Sequence, residues 1–215
     1  MTLVRTIIRL GRETVETTAA LAVMPFTPLV RPWHLRWGAT DLEASAAMPG
    51  DDLLPGAHFT ATRAITIAAP PEAVWPWITQ VGFGRAGFYS YDLLDNLGRP
   101  SANHLNPRWT DPQIGDLAAP MAEPATSATS FRVRLVEPPH HLVWAKPDST
   151  WSWQLTRLTG GATRLVTRLK VRYRPSPWLP LTVGLIELGD FVMMRRMLLN
   201  LRRRAEDAGS TAPVG

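Results

Sequence analysis

Between Arg164 and Arg174 apolar and polar residues alternate. Leu165, Thr167, Leu169, Val171 and Tyr173 face one way; Arg164, Arg168, Lys170, Arg172 and Arg174 face the other. A period of two over this length marks a strand of an antiparallel sheet with one wet face. The same alternation predicts strands at Thr62 to Ala68, with Ile65 and Ile67 on one face, and at Ser130 to Val136, with Phe131, Val133 and Leu135. From Trp151 to Thr156, Trp151, Trp153 and Leu155 alternate with Ser152, Gln154 and Thr156. His141 to Ala145 reads as a short apolar strand, and Gly160-Gly161 suits a hairpin turn into the last strand.

Other stretches switch to the helical period. Pro70-Pro71-Glu72 places proline and an acid in a first turn. The helix then runs through Val74, Trp75, Trp77, Ile78 and Val81 towards Gly82 and Gly84, with a kink expected at Pro76. A second short helix is predicted from Tyr91 to Leu97, and a long one from about Leu181 to Ala205 after Pro175, Pro177 and Pro180. Upstream, residues 2–24 form an amphipathic pattern that Pro25, Pro28 and Pro32 should stop, and Arg31 to Ala57 reads as an irregular arm. The order is strand, two helices, a run of antiparallel strands, then one long helix. That is an α+β class in which the closing helix covers the sheet's single apolar face. The corresponding units are an N-terminal helix and arm over 1–58, a domain over 59–205 and a disordered tail over 206–215.

Composition narrows the chemistry. The 215 residues include no Cys, which excludes disulfides, thiol nucleophiles, Cys-ligated zinc and Rieske clusters. Nine Trp against three Tyr suggest a Trp-lined interior or cavity. The net charge of +5 allows contact with nucleic acid or anionic lipid without requiring either. The apolar start is cut by Arg9 and Arg12, and the uncharged run Thr17 to Val30 contains Pro25 and Pro28. Neither a secretory signal nor a bilayer span is expected, so the reading is cytoplasmic, with membrane-peripheral contact left open.

The segments Arg63-Ala64-Ile65-Thr66-Ile67 and Ala69-Pro70-Pro71-Glu72-Ala73-Val74-Trp75-Pro76-Trp77-Ile78 resemble the first strand and helix of the SRPBCC superfamily, the START/Bet v 1/polyketide-cyclase group. Gly87-Phe88-Tyr89-Ser90-Tyr91-Asp92 and the upstream Pro32-Trp33-His34-Leu35-Arg36-Trp37-Gly38-Ala39-Thr40 resemble a largely uncharacterised actinobacterial-type subgroup. The resemblance covers about residues 59 to 205. It implies a helix-grip fold, a curved sheet wrapped around the C-terminal helix with a cavity between them. It specifies the fold well and the reaction poorly.

Projected at 100° per residue, the last helix places Val183, Glu187, Asp190, Phe191, Met194, Leu198 and Leu201 on one arc, taken as the sheet side. Arg196, Asn200 and Arg203 lie opposite. Glu187 in that apolar arc is either a polar anchor or general acid/base, or an acid favoured by the helix dipole. The apolar far side at Leu185, Leu188 and Val192 would be covered by residues 2–24, or would meet an anionic membrane beside Arg195, Arg202, Arg203 and Arg204. The candidate ligand-binding set is Trp77, Phe88, Tyr89, Tyr91, Asp92, His104, Trp109, Trp144, Trp153, Glu187, Phe191 and Met194. No His/Asp/Glu group has ligand-like spacing, and His140-His141 reads as a turn, so neither metal nor cofactor is expected. The Arg164–Arg174 stripe lacks interleaved aromatics and reads as a solvated face, not a nucleic-acid surface. Three functions stand: a binder of a lipid or polyketide-like apolar molecule, a cyclase/dehydratase-type enzyme using Glu187, His104 or Tyr89, and a membrane-peripheral interaction protein.

Overall fold

The computed structural model describes residues 27–173 and 179–210, with side chains given for 30–173 and 187–208. The proposed helix at 2–24 and residues 211–215 of the tail lie outside the described residues. Six strands, β1 (Phe59–Ile67), β2 (Leu117–Ala118), β3 (Phe131–Glu137), β4 (His141–Lys146), β5 (Ser149–Arg157) and β6 (Thr163–Val171), form one sheet in the order β1-β6-β5-β4-β3-β2. Every pairing is antiparallel. The helices are α1 (Thr27–Leu35), α2 (Asp41–Ser45), α3 (Pro71–Thr79), α4 (Asp92–Asp95) and α5 (Leu179–Ser210). The architecture is therefore the α+β one expected, an antiparallel sheet held against a long C-terminal helix. α5 runs five residues past the boundary drawn at 205.

One sheet face carries the core. Leu165 of β6, Trp153 and Leu155 of β5, Leu142 and Trp144 of β4 and Val133 of β3 are buried with Ile65 and Ile67 of β1. Met197, Leu198, Leu201 and Ala205 of α5 join them with Val74, Trp77 and Ile78 of α3. Trp144, Trp151 and Trp153 pack ring to ring with centroids 4.9–5.7 Å apart. In β3 the register shifts between Val133 and Leu135, so Val136, not Leu135, packs on the core. The bulge inserts one residue and inverts the alternation beyond it.

The other face departs from expectation. Arg164, Arg168 and Lys170 do not form a wet stripe, because residues 38–55 lie across them. Arg168 is only 5% exposed. It donates to Thr62 Oγ1, to the carbonyls of Glu43, Ala44 and Ala46, and to Asp51 Oδ2 at 2.6 Å. Lys170 donates to the Asp51 carbonyl. The arm is itself ordered by short helices. Thr40 and Glu43 cap α2 reciprocally, a 3-10 turn spans Asp51–Leu53, and Ser152 Oγ holds the Pro49 carbonyl at 2.8 Å. Gly38 has φ +74°, and a Cβ there would sit 2.1 Å from the Ala64 carbonyl oxygen. Only glycine lets the arm approach β1, whose Ala64 N–H reaches the Trp37 carbonyl.

Glu43 then takes two hydrogen bonds from the Arg164 guanidinium, 2.7 and 2.8 Å long. Arg164, assisted by Thr40, holds the Glu43 carboxyl down to about 2 from an ordinary 4.5. The folded-state value lies below the unfolded one. The pair therefore stabilises the fold fully above about pH 4.5, and its contribution fades as pH falls towards 2. Glu43→Gln should flatten the pH dependence of urea stability across that window by on the order of 2 kcal/mol. A profile identical to wild type would show that the pair contributes nothing.

Proline was expected to end any helix before residue 33, yet α1 contains Pro32 and runs to Leu35. Pro28 falls in its first turn, where the missing N–H has no intrahelical acceptor. Tertiary contacts hold the remainder: Arg31 to Glu187, and Trp33 edge-on to Phe191 at 5.0 Å.

Candidate functional site

The helices do not fill one end of the core face. Towards the Ser149/Val171 end of β5 and β6, a cavity of about 820 Å³ opens between sheet, α5 and the segment after α3. The sheet supplies Phe131, Trp151 and Leu169; α5 supplies Gly189, Asp190, Met193, Met194 and Met197. The third wall comes from residues 83–99, chiefly Phe83, Phe88, Ser90, Leu94 and Leu97, with Met121 to Glu123 closing the rim.

Local chain geometry sets that third wall. Gly82 and Gly87 exchange two backbone hydrogen bonds of 3.0 Å, each at positive φ, which closes a tight loop that carries Phe83 and is followed by Phe88. The next residues are pinned to α5. Ser90 Oγ donates to the Met193 carbonyl at 3.0 Å, and Asn200 Nδ2 donates to the Tyr89 carbonyl at 2.8 Å. Asp92 Oδ1 accepts from both the backbone and the hydroxyl of Ser101, tying the loop to its return. The wall is thus held by polar bonds on its outer side while its inner side is apolar. Three methionines on one helix add unbranched, polarizable side chains that reshape easily around a guest.

Polar groups on the lining are few: Ser90, Asp95, Arg99, Glu123 and Asp190. Arg99 and Glu123 form a 3.5 Å pair across the rim, each more than half exposed, and Arg99 lies over the Phe83 ring. Asp190 is paired with Arg63 Nη1 at 2.7 Å. Arg63 stands on β1 and is 1% exposed. Its Nε donates to the His34 carbonyl, and its guanidinium sits 5.6 Å from the Phe191 ring centre. His34 is wholly buried, and neither ring nitrogen has a hydrogen-bond partner among the described residues. Burial, and then the Arg63 charge, push its pKa below the ordinary histidine value. A neutral imidazole thus joins α1 to α5 through the Phe191 ring, 5.6 Å away.

Of the twelve candidates read from sequence, Phe88 and Met194 line the cavity. Trp144 and Trp153 lie beneath it in the packed core, each 1% exposed. Trp77 packs edge-on to Tyr89 at 6.1 Å. The Tyr89 hydroxyl accepts from Gln80 Nε2, and burial drives its pKa upward. Tyr89 and Asp92 belong instead to a second, polar pocket with Ser101, Arg196, Asn200, Arg203 and Arg204. Tyr91 lies under the Arg196 guanidinium, 4.3 Å away. Trp109 is flanked by the Arg85 and Arg108 guanidinium groups at 4.3 and 4.7 Å. His104 is exposed, with Nδ1 beside Asn103.

Glu187 and Phe191 sit on the arc of α5 that meets α1, not on the cavity lining. Glu187 is 1% exposed and accepts two hydrogen bonds from Arg31, at 2.7 and 3.0 Å, an ion pair that joins α1 to α5. Asn200 and Arg204 lie against the 89–102 segment, so the arc drawn opposite the sheet is partly covered.

Phe83, Phe131, Trp151, Leu169, Met193 and Met197 line the cavity without having been singled out. The Met193, Met194 and Met197 cluster within five residues of one helix is the sequence signal that points to them.

No protein-family profile matches the sequence, and no curated protein matches it. Solved structures resemble it in fold at low identity. Protein NE0264 from Nitrosomonas europaea is 17% identical over 71% of this chain and 97% of its own, with a TM-score of 0.45. DynU16, from the dynemicin biosynthetic locus, is 18% identical over 70% of this chain and 48% of its own, with a TM-score of 0.40. CalU16 from Micromonospora echinospora is 17% identical over 70% of this chain and 85% of its own, with a TM-score of 0.32. At these values the likenesses carry no chemistry, and the site rests on the chain's own geometry.

Proposed function

We propose that the protein binds an apolar small molecule, of the size of a lipid chain or a polyketide-like metabolite, in the cavity between β5, β6 and α5. The observation that carries this is a cavity of about 820 Å³ walled by Phe83, Phe88, Phe131, Trp151 and four methionines. Water in so apolar a cavity finds few hydrogen-bond partners, and enclosing an apolar guest returns roughly 25 cal/mol per Å² of apolar surface removed from water. The SRPBCC resemblance agrees with a cavity in this place and adds no ligand identity. Proton transfer by Glu187, His104 and Tyr89 gains no support: Glu187 is held by Arg31, Tyr89 hydrogen-bonds Gln80, and His104 is exposed away from the cavity.

The test uses phenylnaphthylamine, a neutral apolar fluorophore. Wild-type protein should bind it saturably at one site per chain. Met194→Trp, which adds a ring to the cavity wall, should weaken binding about tenfold or more, by loss of the space and contacts worth about 1.4 kcal/mol or more. Binding that is absent, unsaturable or unchanged in Met194→Trp would remove the proposal.

A further inference from the structure

Glu187 and Asp190 stand one turn apart on α5, and each is paired with an arginine, yet the two pairs are finished differently. Glu187 is 1% exposed, and Arg31 takes both its oxygens. Asp190 gives only Oδ2 to Arg63 Nη1, keeps its side chain 17% exposed and lines the cavity. Among the described residues no group donates to its Oδ1. Arg63 behind it is 1% exposed, and its Nε donates to the His34 carbonyl, so the carboxylate is fixed from one side and open on the other. Arg63 Nη2 has no partner among the described residues. A buried ion pair that leaves each member short of a hydrogen bond is a poor filling for an apolar wall, since matched apolar side chains would hold it as well or better.

From this unfinished pair we infer that the guest carries a neutral hydroxyl group, which donates to Asp190 Oδ1 while the apolar body lies against Phe131, Trp151 and the methionines. The inference rests on the cavity reading and adds the chemistry of the guest's polar end. An ionised carboxylate only accepts, so it selects a donor. Arg63 already neutralises its charge, so an ammonium guest would give up its water for little return. An acid guest fares worse, because it would set a second carboxylate against Asp190. Ser90 on the lining has already given its hydroxyl proton to the Met193 carbonyl, and Arg99 stands at the rim facing Glu123.

Three probes on one ring system test it by displacement of phenylnaphthylamine at neutral pH: β-naphthol, its methyl ether and β-naphthoate. The ether's extra carbon favours it roughly fourfold by transfer from water alone. Wild-type protein should reverse that order and bind β-naphthol several-fold more tightly, because a hydrogen bond to a charged group outweighs one methyl. β-Naphthoate should bind about tenfold more weakly than β-naphthol, or less. Arg63→Met combined with Asp190→Leu replaces both charges by apolar side chains. That double variant should still bind phenylnaphthylamine within a few-fold of wild type but should prefer the ether. Wild-type protein that prefers the ether, or that binds β-naphthoate as tightly as β-naphthol, overturns the inference while phenylnaphthylamine binding upholds the cavity. A double variant that keeps the preference for β-naphthol also overturns it. The wild-type comparison decides the matter even if the double variant does not fold. If phenylnaphthylamine itself does not bind, the cavity reading falls and this inference with it.

Discussion

Arg168→Met should destabilise the protein by about 3–5 kcal/mol, the range for removing one partner of a buried, hydrogen-bonded charge pair. The size follows from what Arg168 holds. Its guanidinium binds three arm carbonyls, the Asp51 carboxylate and Thr62, and almost none of it meets water. Methionine fills much of the same volume, so the loss would report the hydrogen bonds and charge, not a cavity. The carbonyls of Glu43, Ala44 and Ala46 would be left without that donor against the sheet. Limited proteolysis should then cut between residues 38 and 55 at protease levels that leave the wild-type arm intact. Arg168→Lys should recover only part of the stability, because a single ammonium cannot span the fork's acceptors. A Met variant within 1 kcal/mol of wild type would mean that the arm is held by its other contacts.

The second large effect concerns Gly189, and there stability and binding should move in opposite directions. Gly189 is helical and lines the cavity, and a Cβ built on it meets nothing within 4 Å. Gly189→Leu should therefore raise stability by about 1 kcal/mol, through helix propensity alone. The same side chain would take space from the guest and should weaken phenylnaphthylamine binding about tenfold or more. A structural defect would lower both quantities together, so only an occupied-cavity effect gives this pair of signs. Gly189→Ala should show the stabilisation with a much smaller loss of binding.

Much of the fold could be read from the chain because strand alternation and helix period each report one apolar face. The pairing of Trp151, Trp153 and Leu155 with Leu165, Thr167 and Leu169 follows from that phase, as does the cover by α5. The arm was a different matter. Its register on the outer face depends on single long-range bonds, Arg164 to Glu43 and Arg168 to Asp51, more than a hundred residues apart, which no local period records. Alternation showed Arg168 on the face away from the core but could not show that another segment lies over it.

The site was legible only in part, for a related reason. Trp144, Trp151 and Trp153 share one face of the sheet and look equivalent in sequence. Whether each ring meets packed α5 and α3 or empty space depends on where along the strands those helices lie. Glu187 stands out in the sequence as an acid among apolar residues, but its partner, Arg31, lies on a helix the prolines argued against. The methionine cluster carried a usable signal, since Met residues at one level of a helix favour adaptable surfaces.

The measurement that bears most directly on the cavity as a binding site is methyl resonance mapping of selectively labelled methionines during a phenylnaphthylamine titration. Met121, Met193, Met194 and Met197 line the cavity, whereas Met48, on the arm, is buried against the opposite side of the sheet with Ala64 and Val166. Saturable shifts at the four cavity methyls with Met48 unmoved are the predicted result. Shifts at Met48, or none at Met193, Met194 and Met197 while the probe binds, would place the guest elsewhere and contradict the account.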